Sequence, residues 1–417
     1  MKELLPKILH SKEVRKLLEN FFSLSILKLI NAILPFVTLP YLIKVLGFEQ
    51  YGAIVLALSL IAYFQSITDY GFNLSATREI AEHCHSKKQI SLIYSKTILS
   101  KSLLLILSLS VLLILVFSIE QFRQDKIIYL LMCLVLIGQT FFPEWFFRGI
   151  EQMRYITLLD LFVKSFFTIG IFFLVKSSKD YWIYPLLFAG GYLFIALLSH
   201  WIILKRFNIN FKLIKISKVI YNLKCGFPLF INQFMPNFYN NSTNFLIGFL
   251  LGKYEIGIFG AIRQFVNILN VLNSIVSIVI FPYLVRNKEK FYKFSKIYIL
   301  TFIFITILLI TIHSYIFKWV GIIDTNASFI FIILIFGVTS IMVYSVYSTN
   351  YLISRGHDKI VMKITFNVSL IGLFTSYPLI KYFGIIGGAF NILIAQFSLG
   401  FISYLYYLNF EYRRRNS

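Results

Sequence analysis

Charge is scarce in this 417-residue sequence, and negative charge scarcer still: charged residues make up 14%, with 18 acids against 40 Lys and Arg. Three cysteines, Cys84, Cys133 and Cys225, are odd in number and scattered, so no disulfide framework is implied. No Asp-x-Asp occurs, and no metal site is expected. His83, Cys84 and His85 are adjacent in sequence and poorly placed to converge on one ion, so a solvated loop is the better account of them. The first apolar run is too long for a cleaved signal peptide and lacks a small-residue cleavage site, so it stays in the chain as a span. What is abundant is apolar surface, 58% hydrophobic and 18% aromatic residues, beyond what a soluble core needs.

Runs long enough to cross a hydrocarbon core of roughly 30 Å recur from about residue 21 to 410. They place about twelve helices, near 21–46, 52–72, 92–118, 127–147, 155–175, 181–204, 226–251, 257–281, 294–317, 328–353, 360–380 and 385–408. The expected fold is therefore an all-α polytopic membrane protein. Residues 1–20 read as a basic amphipathic segment at the cytoplasmic surface, or equally as a charged tail, with Lys2, Lys7, Lys12, Arg15 and Lys16 among leucines and isoleucines. With that end in the cytoplasm, about 27 Lys and Arg fall in the tails and loops on its side and about 7 in the opposite loops. Both termini are thus expected inside. The net charge of +22 is an orientation signal, not a nucleic-acid footprint.

The loops suggest a duplication. LGFEQYG (46–52) and LGKYEIG (251–257) share Leu-Gly, four residues, then Gly, 205 residues apart; RGIEQ (148–152) and RGHDK (355–359) share Arg-Gly-x-acid, 207 apart. This predicts two pseudo-symmetric six-helix bundles, 21–204 and 226–410, joined by a basic cytoplasmic linker at 205–225 and followed by a basic tail at 411–417. Because six is even, their pseudo-two-fold axis should run along the membrane normal.

Polar residues inside such spans face a partner helix or a water-filled cavity. Gln233, Asn237, Asn240, Asn241 and Asn244 share one helical face of the seventh span, which Pro236 should kink, and Arg263, Asn267, Asn270 and Ser274 repeat the spacing in the eighth. Amides can match sugar hydroxyls, and a guanidinium can grip phosphate oxygens in pairs. In the first half Lys28, Asn31 and Thr38, then Ser59, Tyr63, Ser66 and Tyr70, form thinner stripes, while Lys101, Asp160 and Lys164 lie at membrane depth. Stripes that knit helices together, with long basic side chains snorkelling to the surface, are the bland alternative.

FFPEWFFRGIEQMRYI (141–156) ends the fourth span. Glu144 and Arg148, four residues apart with the acid first, should pair, and Trp145, Phe146 and Phe147 are expected in an interfacial aromatic belt. This stretch resembles the signature of the bacterial polysaccharide-transport family, the O-antigen flippases of the multidrug, oligosaccharidyl-lipid and polysaccharide exporter superfamily. So does LPYLIKVLGFEQYGAIVLALSLIAYFQSITDYGFNLSATREIA (39–81), and more weakly GFPLFIN (226–232).

The resemblance implies a MATE-like fold of two bundles opening alternately to either side of the bacterial inner membrane. It implies translocation of undecaprenyl-diphosphate-linked oligosaccharide to the outer leaflet, with no cofactor beyond coupling to a proton or sodium gradient. Beside membrane lipids it suggests an O-antigen polymerase and a chain-length regulator as neighbours. For that substrate Arg263, Lys164, Lys28 and Lys101 are the candidate diphosphate or headgroup residues. Asn237, Asn240, Asn244, Asn267 and Asn270 are the candidates for sugars, and Asp69, Arg78, Glu79, Glu144 and Arg148 for a gate or hairpin. Nothing in the spacing resembles catalysis. A drug exporter of the same superfamily should show a more prominent buried acid in the first bundle, where Asp69 and Asp160 are available. A membrane glycosyltransferase, polymerase or ligase should show a large outer loop or clustered carboxylates, which the chain lacks, and a purely structural subunit leaves the polar stripes unexplained.

Overall fold

A computed structural model describes residues 12–416 with the exception of residue 325; residues 1–11 of the basic N-terminal segment and Ser417 lie outside the described residues. Apolar segments with no water to bond must satisfy their backbone internally, and the described chain is helical almost throughout. The helices are α1 (Lys12–Asp69), α2 (Phe72–Glu82), α3 (Lys87–Ser118), α4 (Glu120–Gln124), α5 (Lys126–Phe141), α6 (Glu144–Gly149), α7 (Met153–Leu174) and α8 (Ile183–Lys205). They continue with α9 (Ile216–Phe234), α10 (Asn237–Leu250), α11 (Lys253–Arg286), α12 (Phe291–Val320), α13 (Ala327–Tyr344) and α14 (Asp358–Asn416).

Among the described residues nine helical segments are long and apolar enough to cross a membrane. Two of them, of 57 and 55 residues, are far longer than the roughly 20 residues one crossing needs. Each contains a glycine with non-helical dihedrals, Gly47 (φ 75°, ψ 168°) in α1 and Gly384 (φ 57°, ψ −139°) in α14, and so accommodates two spans. With α9 and α10, separated at Met235–Pro236 as the proline predicts, the architecture is compatible with twelve.

Contacts group the chain into two compact units, one of Met1–Leu34, Ile61–Val175 and Trp182–Gln233, the other of Pro35–Leu60, Lys176–Tyr181 and Phe234–Ser417. Within the second unit the two glycine loops of the repeat meet. A Cβ on Gly52 would lie 1.7 Å from the carbonyl oxygen of Lys253, and one on Gly257 would lie 2.1 Å from that of Phe48. The contacting pairs are themselves related by 205 residues, so the approach is reciprocal.

The second pair of loops obeys the same offset, which corrects the register suggested by their letters. The N–H groups of Gln152 and His357 donate to the carbonyls of Phe147 and Leu352, and those of Glu151 and Gly356 to Arg148 and Ile353. Glu151 (φ 56°) and Gly356 (φ 84°) are the matching left-handed residues. The equivalence therefore runs at 205, and the Arg-Gly coincidence at 207 is two residues out.

Exposure is inverted relative to a soluble protein. Along α3 the buried face carries Ser91, Ser95, Thr97, Ser100, Lys101 and Ser108, while Ile106, Leu107, Val111, Ile114 and Phe117 point outward. On α12 Ile297, Leu300, Phe304, Ile307 and Leu308 are likewise exposed. Both patterns suit helices that turn apolar side chains to lipid and small polar ones to their neighbours.

The basic linker is more than a tether. The N–H groups of Asn210 and Lys212 donate to Ser91 Oγ (3.2 Å) and Ser95 Oγ (2.8 Å), and Asn222 Nδ2 donates to Ser100 Oγ (3.0 Å). Serines four and five residues apart on α3 thus satisfy two backbone groups of the non-helical stretch and one side-chain amide at the start of α9. Ile209 is buried beside it.

Candidate functional site

The stretch 141–156 sits at the centre of the first unit. Pro143 stops α5 and restarts the chain as the short α6, which brings Trp145, Phe146 and Phe147 inward; all three are 0% exposed. They pack with Phe72, Ile80, Tyr94 and Ile156, and a Cβ on Gly149 would lie 2.7 Å from Ile80. These aromatics are therefore a core pin and not the expected interfacial belt. The reason is Pro143: the new helix turns its rings away from the direction in which continued α5 periodicity would have sent them.

Glu144 and Arg148 remain on the other side of the same turn and pair as expected, at 2.7 Å. Both side chains are about one-third exposed, so the pair is held by modest forces. A double-mutant cycle by thermal unfolding in detergent should give a coupling of about 1 kcal/mol. Exchanging the charges, Glu144→Arg with Arg148→Glu, should restore what each single change loses. If the exchange restores nothing, the pairing idea is to be dropped.

Around this turn the first unit gathers the charges that its spans carry. Lys101 Nζ lies 3.0 Å from Asp69 Oδ1, and the lysine side chain is 1% exposed. Glu144 interacts electrostatically with Arg148, Asp69, Asp160 and Lys101, and Lys28 with Arg148. Asp160 is buried beside Lys164 and 3.5 Å from the Tyr192 hydroxyl, which donates to it. The Lys164 ammonium also lies 4.9 Å from the centre of the Phe188 ring, a cation–π contact. Gln65, Asp69, Asn73, Gln139, Glu144 and Tyr192 line a small cavity of ≈ 60 Å³, room for a water or two. Gln139 Oε1 and Arg148 Nε are buried here with no hydrogen-bond partner among the described residues. Lys28, Lys101, Lys164, Asp69, Glu144 and Arg148 thus belong to one cluster. Glu79 and Arg78 stand apart from it: Glu79 pairs with Lys96 at 2.7 Å, and Arg78 is exposed.

In the second unit Arg263 of α11 is gripped by two of the predicted amides of α10. Its Nη1 donates to Asn244 Oδ1 (2.6 Å) and to the Asn240 carbonyl (3.1 Å), and Nη2 to Asn240 Oδ1 (3.3 Å). Asn237 accepts from Asn241 Nδ2 at 2.6 Å and donates to the Phe234 carbonyl of α9 at 3.0 Å. Asn267 is exposed and Asn270 half-buried, and neither side chain bonds to another described residue.

Two polar groupings escaped the sequence. Asn273 Nδ2 donates to Ser345 Oγ (2.9 Å), the Tyr298 hydroxyl donates to Asn273 Oδ1, and Asn350 Nδ2 donates to Ser277 Oγ (3.0 Å). This network joins α11 and α12 to a π-helical turn at Ser345–Leu352. Asn350 Nδ2 also donates to the Ser345 carbonyl at 3.1 Å, so its amide holds both this turn and α11. The second grouping links Asn391 of α14 to Thr243 (2.8 Å) and Thr375 (2.6 Å). The spacing of Asn273 and Ser277, one helical turn apart, was the available signal for the first; isolated threonines gave none for the second.

The pattern of the family described as "Polysaccharide biosynthesis protein" matches residues 17–288. Two relatives named "Putative O-antigen transporter" are each 25% identical to this chain. The one from Escherichia coli (strain K12) aligns over 386 residues, 90% of this chain and 93% of that protein. The one from Shigella dysenteriae aligns over 384 residues, 88% and 93%. Among solved structures, "Lipid II flippase MurJ, inward closed conformation" superposes with a TM-score of 0.71 at 17% identity, covering 95% of this chain and 87% of that one. An inward-facing multidrug resistance MATE family transporter of the MOP superfamily gives 0.69 at 13%, covering 94% and 99%. The fold is therefore the MATE-like one.

Proposed function

This chain belongs to the polysaccharide biosynthesis protein family, and from that premise we propose that it carries an undecaprenyl-diphosphate-linked oligosaccharide, an O-antigen or capsule repeat unit, from the cytoplasmic to the outer leaflet. The observation that carries this reading is the set of cations and amides held inside apolar helices, Lys28, Lys101, Arg148 and Lys164 in one unit and Arg263 with Asn240 and Asn244 in the other. A diphosphate with its sugars would cost many kcal/mol in bare hydrocarbon, so the protein's task is to supply polar surroundings along the path. No bond need be made or broken.

In this mechanism the cargo exchanges partners with groups that already satisfy one another. Arg263, now bonded to neutral amides, turns toward phosphate oxygens at small cost because the amides can rebond to sugar hydroxyls. Lys164, held over an aromatic ring and beside Asp160, offers a second cation, with Lys28 and Lys101 adding positive potential. Asn237, Asn240, Asn244, Asn267 and Asn270 take the sugars. Rocking of the two six-helix bundles exposes the path first to the cytoplasm and then to the outer side, with a proton or sodium gradient as the driving force. On this reading the chain sits in the bacterial inner membrane with both termini inside, and the product passes to an O-antigen polymerase on the outer side. The small-molecule exporter reading shares the fold, but the buried acid it calls for, Asp160, has Lys164 beside it.

The test in cells is an Arg263→Gln, Lys164→Gln double variant present at the parent's level. Removing buried charge partners of a phosphate should cut surface polysaccharide by at least about tenfold. Normal export would overturn the charge assignment.

A further inference from the structure

A groove in the second unit, remote in sequence from the charges assigned above, joins the end of α1 before Gly47 to the end of α12. It encloses ≈ 490 Å³ and is lined by Pro40, Tyr41, Lys44, Phe48, Lys318 and Trp319, among others. Both lysines are exposed, and neither has a carboxylate within ion-pairing distance among the described residues. Trp319 is 57% exposed, with one ring face resting near Phe36 at 5.5 Å between centroids. Just beyond it, Gly321 (φ 84°) caps α12 and turns the chain away, which leaves the groove open at that end.

In the twelve-span order read from the sequence both segments belong to odd-numbered spans and run away from the N-terminal side, which places the groove at the far border between hydrocarbon and water. An indole and a phenol belong at this depth, where an apolar ring meets headgroups. Two ammonium groups without acids do not need each other's company: like charges brought from distant parts of the sequence repel unless an anion sits between them. Lys318 is, moreover, one of only about 7 cations in the loops on that side, where a random scatter would seldom put it beside Lys44. Ile43, Phe48 and Val320 add apolar lining to the same groove, as the first methylenes of an acyl chain would require.

We propose that this groove binds the phosphate of an anionic glycerophospholipid from the leaflet opposite the N-terminus, with Lys44 and Lys318 on the phosphate and Trp319 and Tyr41 against the glycerol and upper acyl chain. The site is independent of the transported cargo and anchors this corner of the second unit in the bilayer.

The test is native mass spectrometry of the full chain in detergent, titrated with phosphatidylglycerol and with phosphatidylcholine of the same acyl chains. Phosphatidylglycerol should be retained in preference. At about fivefold per lysine, the Lys44→Gln, Lys318→Gln double variant should weaken its retention about 30-fold. Trp319→Ala should weaken both lipids alike. A control pair of exposed lysines on the same side, Lys126→Gln with Lys381→Gln, should leave retention unchanged. Equal loss in the control pair would reduce the effect to diffuse surface attraction and overturn the site. So would an absence of preference for phosphatidylglycerol, or a preference for a short-chain polyprenyl diphosphate over it that Lys44 and Lys318 alone govern.

Discussion

Gly52→Ala destabilises this protein by about 3 kcal/mol or more, and Gly257→Ala does nearly the same. The new Cβ at position 52 would sit 1.7 Å from a backbone oxygen of Lys253, and that at 257 would sit 2.1 Å from one of Phe48. A carbon and an oxygen need roughly 3.3 Å, so the two segments must part by more than 1 Å. Neither obstacle is a side chain that could swing away. Neither glycine has a left-handed φ, so strain at the residue itself contributes nothing and the whole effect comes from the approach of two backbones. Because one separation relieves both clashes, the double variant should cost clearly less than the sum of the singles. Gly190→Ala is the control: its Cβ meets nothing within 4 Å, and the change should be neutral or slightly stabilising. Thermal unfolding followed by size-exclusion fluorescence reads all four. Equal stability of the Gly52 and Gly190 variants would remove the reciprocal contact from the account.

The second large effect lies at Asp69. Lys101 is 1% exposed and its ammonium rests on this carboxylate, whereas Asp69 is 27% exposed and can reach water. Asp69→Asn strands a buried cation and should cost ~3–5 kcal/mol, the range found when one partner of a buried pair is removed. Lys101→Met keeps the packing of the stem and leaves a carboxylate that can hydrate, so it should cost much less. The combined variant should resemble Lys101→Met alone. Protein yield and melting temperature measure the asymmetry; equal losses from the two single changes would mean that Glu144, which also interacts with Lys101, takes over the ammonium when Asp69 is neutralised.

Much of the architecture was legible because membrane helices leave a strong trace. Apolar runs gave the spans, and LGFEQYG with LGKYEIG gave the 205-residue offset that the backbone keeps. The Glu144–Arg148 pair and the meeting of Arg263 with Asn240 and Asn244 also followed from helical spacing. What failed was the direction in which a side chain turns. Trp145, Phe146 and Phe147 beside a charged pair look the same whether the segment lies at an interface or folds inward, and only the restart after Pro143 distinguishes the two. Asn270 and Asn273 are both polar positions of one span; a three-residue step rotates by about 60°, less than the width of a helix face, so the sequence could not tell which one is buried. The docking of the linker onto Ser91 and Ser95 left no trace at all, since small hydroxyls on a membrane helix more often bond their own backbone.

The central claim, that cargo crosses between leaflets, is tested most directly in sealed proteoliposomes. They would carry a synthetic polyprenyl-diphosphate oligosaccharide and be treated with an impermeant reagent that modifies only outward-facing sugars. Protein without substitutions should make the inner pool accessible, and the Arg263→Gln, Lys164→Gln double variant should leave it protected. An inner pool that stays protected across several glycan structures, in vesicles that take up small cations under a gradient, would contradict the account and give this chain to the exporters of small molecules.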